Sequence, residues 1–181
     1  MATRAQDLSR LLERSAEGIA AVLVQLADET VALGGDDPGA LRSARRWATA
    51  AHELDPRNRD AWLALARTAA QQEDYVEAER ALKAVLSDSP SDCQALHEMG
   101  MLREEQGDVT SARRYFARAL RAMSPSRHPW AALLFLSAAE LDLGAGRRAA
   151  AIRCAREGVR RLQRHSLDVG VLVDFLKRMR S

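Results

Sequence analysis

Little in this chain is suited to chemistry. Its 181 residues hold two cysteines, Cys93 and Cys154, whose spacing fits neither a metal site nor a disulfide framework. Both read as plain thiols of a reducing compartment, so the expected location is cytoplasmic. Cys154, beside Ala151 and Ala155, reads as a packing residue. His52, His97, His128 and His165 are isolated, and the sequence has no HExxH pair, nucleophile elbow, phosphate loop or glycine-rich nucleotide fingerprint. Glu104 and Glu105 read as a solvated turn rather than an acid and base, because nothing apolar surrounds them to shift a pKa. An enzyme is therefore not expected, nor a cofactor or metal. No apolar run approaches membrane-spanning length, so no membrane insertion is expected. The N-terminus does not make an export signal either. Arg4, Arg10 and Arg14 precede the apolar run from Ile19 to Leu26, but Asp7, Glu13 and Glu17 are mixed among them, Asp28 and Glu29 end the run, and no small-residue cleavage site is expected.

Aromatics are scarce too, eight in all, and alanine is the commonest residue, which suits tightly stacked helices with an alanine and leucine core. The length is that of about one domain with a real core. The informative stretch runs from Arg59 to Pro125, where one pattern is written twice, 34 residues apart. Trp62 recurs as Leu96, Leu65 as Met99, Ala66 as Gly100, Ala78 as Ala112, Leu82 as Phe116 and Val85 as Ala119. Pro56 and Pro90 keep the interval, and Pro125 misses it by one residue. Trp62, Leu65 and Ala66 share one helical face, and Ala78, Leu82 and Val85 share another. The small members belong where helix axes come close and the large ones fill the remaining gaps. Gln72-Glu73-Asp74 and Gln106-Gly107-Asp108 separate the helices of each pair. A period of this length predicts an all-α stack of helical hairpins, each burying its apolar face against its neighbours.

The pattern resembles the tetratricopeptide repeat, W-x-x-L-G-x-x-Y, then A-x-x-x-F, then P. Trp62, Leu65, Ala66, Ala78, Leu82 and Pro90 carry one copy, and Leu96, Met99, Gly100, Ala112, Phe116 and Pro125 the next. The family's tyrosine is replaced by Ala69 and Arg103, which loosens the expected packing there. The resemblance implies a single tetratricopeptide-like α-solenoid: a long N-terminal helix and degenerate repeat over 5–57, repeats over 59–91 and 93–125, an extended repeat over 127–165, and a capping helix over 166–180. Leu8, Leu11, Leu12, Ser15, Ile19, Val22, Leu23 and Leu26 give the N-terminal helix its apolar stripe. Asp37-Pro38 starts the next helix, whose Ala44, Ala48 and Ala51 precede Pro56. In the extended repeat, Trp130 and Leu133 lie 34 after Leu96 and Met99. The following small positions, Ala151 and Ala155, imply about one inserted helical turn before Gly144-Ala145-Gly146. Leu167, Val171, Leu172, Phe175, Leu176 and Met179 form the stripe of the cap.

Functionally, the resemblance implies a concave groove of first helices that holds an extended or helical peptide. Carried over residue by residue, the groove positions are Asp60, Leu63, Arg67 and Ala70, then Gln94, His97, Met101 and Glu104, then His128, Ala131, Phe135 and Ala138. Leu63, Arg67, Gln94, His97, Met101 and Phe135 are the expected partner contacts. Members that clamp the C-terminal carboxylate of heat-shock chaperones use Lys, Asn and Arg at such places, and only Arg67 fits, which argues against that role. The general layout is similar to the chaperones of type III secretion translocators. The helix from Trp130 to Leu143 is apolar on almost every side, so its own N-terminal helix, a second copy or a client must cover it.

Charge offers an alternative. Residues 147–181 carry ten Lys or Arg against three Asp or Glu, and Arg153, Arg156, Arg160 and Arg164 form a stripe opposite Ile152, Ala155, Val159 and Leu162. A solvated outer face accounts for such a stripe, and so does docking on nucleic acid or an acidic protein surface. No aromatic residue interleaves with these arginines to stack a base, which argues against nucleic acid. The expected partner is a protein or peptide, with a homodimer as one way to cover the apolar helix.

Overall fold

The structure, a computed structural model, describes residues 2–35, 37–125, 128 and 130–179, with side chains from Arg14 onward. All regular structure among them is helical. The chain divides into two compact units, Met1–Asp88 and Ser89–Ser181.

The first unit holds α1 (Ala2–Gly34), α2 (Pro38–Leu54), α3 (Arg59–Gln71) and α4 (Tyr75–Asp88). The chain leaves α1 through Gly35 at φ +51°, and Asp37 then caps α2, its carboxylate accepting from the Ala40 amide at 2.7 Å with Pro38 in the first turn. Ala44, Ala48 and Ala51 are fully buried on α2, as are Ala61, Ala69, Ala78 and Ala81 on α3 and α4. Alanine at these places lets helix axes approach closely. α1 packs along α2 and also reaches α3. Its buried face differs from the expected stripe: Ala20, Val24 and Ala27 point inward, whereas Ile19, Val22 and Leu26 are 53%, 57% and 38% exposed. Small side chains won the inner face because they permit the close approach to α2. The side chains of Leu8, Leu11 and Leu12 lie outside the described residues.

The second unit holds α5 (Cys93–Glu105), α6 (Val109–Ala122), α7 (Ala131–Gly144), α8 (Arg148–Gln163) and α9 (Gly170–Arg178). The repeat core falls where the spacing places it, with Leu96, Met99, Ala112, Phe116 and Ala119 all buried. A Cβ on Gly100 would stand 2.5 Å from the Phe116 ring, so that small position is sterically required. Burying a ring the size of Phe116 contributes on the order of 1.5–3 kcal/mol. Between α7 and α8 the same lock is inverted. Here the ring is Phe135 on the first helix and the gap is Gly158 on the second, where a Cβ would come within 2.7 Å of Phe135 Cγ and of Leu172 Cδ1.

Four helices end in the same way, with a left-handed residue whose amide reaches back three carbonyls while the next amide reaches back five. Glu73 (φ 59°), Gly107 (77°), Gly146 (72°) and Ser166 (55°) hold that position. The bonds run Glu73 N to Ala70 O at 2.8 Å with Asp74 N to Ala69 O at 2.9 Å, and Gly107 N to Glu104 O with Asp108 N to Arg103 O, both at 2.8 Å. Gly146 and Ser166 repeat it. The interval is 34 residues from Glu73 to Gly107 and 39 from Gly107 to Gly146, so the inserted turn is present, at the C-terminal end of α7.

The register of α7 departs from the expected one. Leu133, placed 34 after the buried Met99, is half exposed, and Leu134 is buried in its stead. The interval into α7 is thus 35, the single residue by which Pro125 is displaced. Most of the apolar surface of this helix is covered within its own unit, because α6, α8 and α9 all pack on it, and Leu133 is left half exposed. Leu172 and Phe175 of α9 are buried to 1% exposure or less, which makes α9 the cap of the α7–α8 hairpin.

Candidate functional site

The expected groove positions take different fates. In the first unit, Leu63 is 1% exposed, so it is a core residue of α3 and not a surface a partner touches. The groove side of α3 is held by α1: Arg67 pairs with Asp28 on that helix. Covering this face with the chain's own helix is cheaper than leaving leucine in water.

In the second unit, Phe135 is 2% exposed and sits against Gly158 and Leu172, with the Arg161 guanidinium 5.7 Å from its ring centre. It faces the α7–α8–α9 junction, a consequence of the 35-residue interval, which puts it in the place of Gly100 rather than of Met101. His97 is 9% exposed. Its Nε2 lies within hydrogen-bond distance of Ser137 Oγ, at 3.1 Å, and the same hydroxyl lies 3.0 Å from Leu133 O. The ring stacks on Trp130 at 5.5 Å and approaches Phe116 at 5.7 Å. Burial lowers its pKa to about 4, which makes it neutral at pH 7, a structural joint of α5 to α7.

What remains open is a cleft of about 320 Å³ lined by Met101, Glu104, Glu105, Ser137 and Glu140. Met101 is 39% exposed at its floor, Gln94 is half-buried two turns earlier on α5, and Leu133, one turn before Ser137, is 50% exposed. Glu104 and Glu105 were expected to titrate normally. Instead, loss of solvent raises both, and repulsion from Glu140 and then from Glu105 adds to the rise at Glu104. Arg178 lies 3.8 Å from Glu140. The cleft therefore joins an apolar floor to a rim of carboxylates that a partner's cation would relieve. Ser137 and Glu140 were readable from the sequence as polar interruptions of an apolar helix; applying Pro125's extra residue to the register would have placed them beside α5.

The arginine stripe lies on the outer side of α8, where Arg153, Arg156, Arg160 and Arg164 are exposed and Ala155 and Leu162 buried. Arg160 pairs with Glu157. With Val159, Gln163 and Leu176, Arg156, Arg160 and Arg164 line a second cleft of about 440 Å³. Neither cysteine is in a disulfide, and burial, followed by Asp142 and Glu157, pushes the Cys154 thiol up to about 11. Among the described residues no three metal-binding side chains gather, and no helix is long and apolar enough to cross a membrane.

Helical hairpins with alanine seams, recurring turns and an open first-helix cleft define a helical-repeat scaffold whose chemistry is that of protein binding. Residues 37–99 match the tetratricopeptide repeat family, and the helical hairpins share the fold of solved tetratricopeptide-repeat structures. It is similar in structure to PilF of Pseudomonas aeruginosa, with 20% identity and a TM-score of 0.66 over 81% of this chain and 62% of PilF. A thermophilic tetratricopeptide-repeat protein of Thermus thermophilus is 18% identical with a TM-score of 0.63, over 78% of this chain and 73% of that one. A crystal structure of MamA gives 14% and 0.61, over 87% and 86%. At these identities the likeness is one of fold, and the chain spans less than two thirds of PilF. Comparison with curated proteins finds no match.

Proposed function

We propose that the chain is a non-enzymatic cytoplasmic module, an adaptor or chaperone, that holds a partner polypeptide in the cleft between α5 and α7. The observation behind this reading is the pairing of the exposed Met101 floor with Glu104, Glu105 and Glu140. A segment that inserts one apolar side chain and flanks it with Lys or Arg satisfies both features, because burying Met101 favours binding and the cations lower the raised carboxyl pKa values. Panning a displayed random-peptide library on the protein tests this. Enriched peptides should couple Leu, Ile or Phe to basic residues, and their affinity should fall at least about tenfold, some 1.4 kcal/mol, in Met101→Asp and Glu104→Lys. Melting should change little, since Met101 is already partly in water.

The α8 cleft supports a second reading, docking of an acidic protein surface or nucleic acid on Arg156, Arg160 and Arg164. Acidic peptides as the enriched class, with binding lost in Arg156→Glu/Arg160→Glu and steeply weakened by salt, would replace the first reading by this one.

A further inference from the structure

We infer that the pocket enclosed by α6, α7 and α8 binds a short-chain carboxylic acid, its aliphatic tail inside and its carboxylate on Arg113. The pocket measures about 130 Å³, and its α7 members are Ala138, Leu141 and Asp142, none of which lines the Met101 cleft. Phe116 and Leu141 are its buried residues. Ala117, Leu120 and Cys154 complete the apolar lining, all half-buried like Ala138. Burial keeps the Cys154 thiol protonated at neutral pH, so it counts as part of that lining. An apolar cavity of roughly 150 Å³ stays dry and takes a guest the size of benzene. A branched tail of four or five carbons is of that class.

Charge at the pocket selects the head group. Only two lining side chains are charged, Arg113 and Asp142. Asp142 is largely buried, and its Oδ1 already accepts from Arg147 Nε at 2.9 Å. Arg113 is 56% exposed and stands 3.6 Å from that same oxygen, beyond hydrogen-bond reach. Its guanidinium makes no hydrogen bond among the described residues, so it keeps the forked N–H groups that a carboxylate accepts in pairs. Glu157, whose charge reaches the Cys154 thiol, is paired with Arg160. What is left is one cation without a close partner beside an apolar space, the complement of a carboxylate on a short hydrocarbon.

Titration of 4-methylpentanoate into the full chain, with leucine methyl groups labelled for NMR, tests the site. The Leu120 and Leu141 methyl signals should shift and saturate with a Kd on the order of 1 mM, the range open to a ligand of so few atoms. The uncharged 4-methylpentanol should bind at least about tenfold more weakly, and Arg113→Gln should weaken the acid to the same degree. Saturating acid should slow alkylation of Cys154, the more accessible of the two thiols, and Ala117→Leu should abolish the shifts by filling the space. If Ala117→Leu fails to fold, Arg113→Gln and the thiol protection still decide, because Arg113 is a surface residue. No saturation below about 10 mM, equal binding of acid and alcohol, or full affinity in Arg113→Gln overturns the proposal. So do shifts confined to Leu133, near the α5–α7 cleft, or a peptide ending in leucine that binds at Arg113 where the free acid does not.

Discussion

Glu73 and Gly107 stand at equivalent places in successive hairpins and close the same pair of backbone hydrogen bonds, yet only glycine is free of the steric penalty of a left-handed conformation. Glu73 at φ 59° carries a Cβ that crowds its own carbonyl. Glu73→Gly should therefore stabilise the first unit by about 0.5–1 kcal/mol, the left-handed penalty less the extra chain entropy of glycine. Gly107→Ala should cost about 1 kcal/mol. Urea unfolding of both variants checks the pair, and a Glu73→Gly variant less stable than wild type would show that the side chain makes up for its backbone. His97 gives a second prediction at this scale. Its folded pKa of about 4 lies below the unfolded value of about 6.5, so between these pH values the unfolded chain binds the extra proton. The stability His97 contributes is full above pH ~6.5 and is lost as pH falls toward 4, by roughly 2–3 kcal/mol. The raised carboxyls of Glu104 and Glu105 act in the opposite sense, their contribution being full below the unfolded value of 4.5 and lost as pH rises above it through their raised folded values. Comparing wild type with His97→Gln isolates the histidine: the difference in unfolding free energy should shrink from pH 7 to pH 4.

At the scale of the element, the α5–α6 and α7–α8 hairpins use one lock in two orientations, Gly100 under Phe116 and Gly158 against Phe135. Adding a methyl at Gly158 forces the Phe135 ring or Leu172 aside, so Gly158→Ala should destabilise by about 1–3 kcal/mol despite alanine's better helix propensity. Gly144, where a Cβ would meet nothing within 4 Å, is the control, and Gly144→Ala should be tolerated far better. The inversion also explains what could be read from the sequence. The 34-residue spacing of Ala78 with Ala112 and of Leu65 with Met99 places α3 to α6 correctly because each position meets the same kind of neighbour in both hairpins. It fails at α7, where Phe135 matches Met101 by arithmetic and Gly100 by environment. Pro125, one residue late, was the signal, and a single-residue shift turns a helix by 100°, enough to move a side chain from the cleft to the core. The face of α1 was misread for a different reason. Its large apolar residues and its alanines both follow helical spacing, and closeness of approach to α2, which periodicity does not encode, decides between them.

For the second unit as a whole, stability should depend on α9. That helix is only nine residues long, too short to hold its form alone in water, and it is fixed by packing on α7 and α8. Leu172 and Phe175 are buried, Leu172 against the gap at Gly158 and Phe175 beneath the Arg178 guanidinium at 5.8 Å. Deleting residues 166–181 removes these two side chains, worth on the order of 1.5–3 kcal/mol each, and exposes the apolar surface beneath them. It also takes away Arg178 beside Glu140, an exposed pair of little energetic weight. The expected result is loss of several kcal/mol from the second unit, seen as a broadened or two-step denaturant transition, together with aggregation through the uncovered face of α7 and α8. Substitution separates the apolar from the electrostatic contribution: Leu172→Ala should recover most of the destabilisation, about 2–5 kcal/mol, whereas Arg178→Ala should leave the midpoint nearly unchanged. A truncated chain that unfolds in one transition at the wild-type midpoint would show that α7 and α8 form a complete unit without the ninth helix.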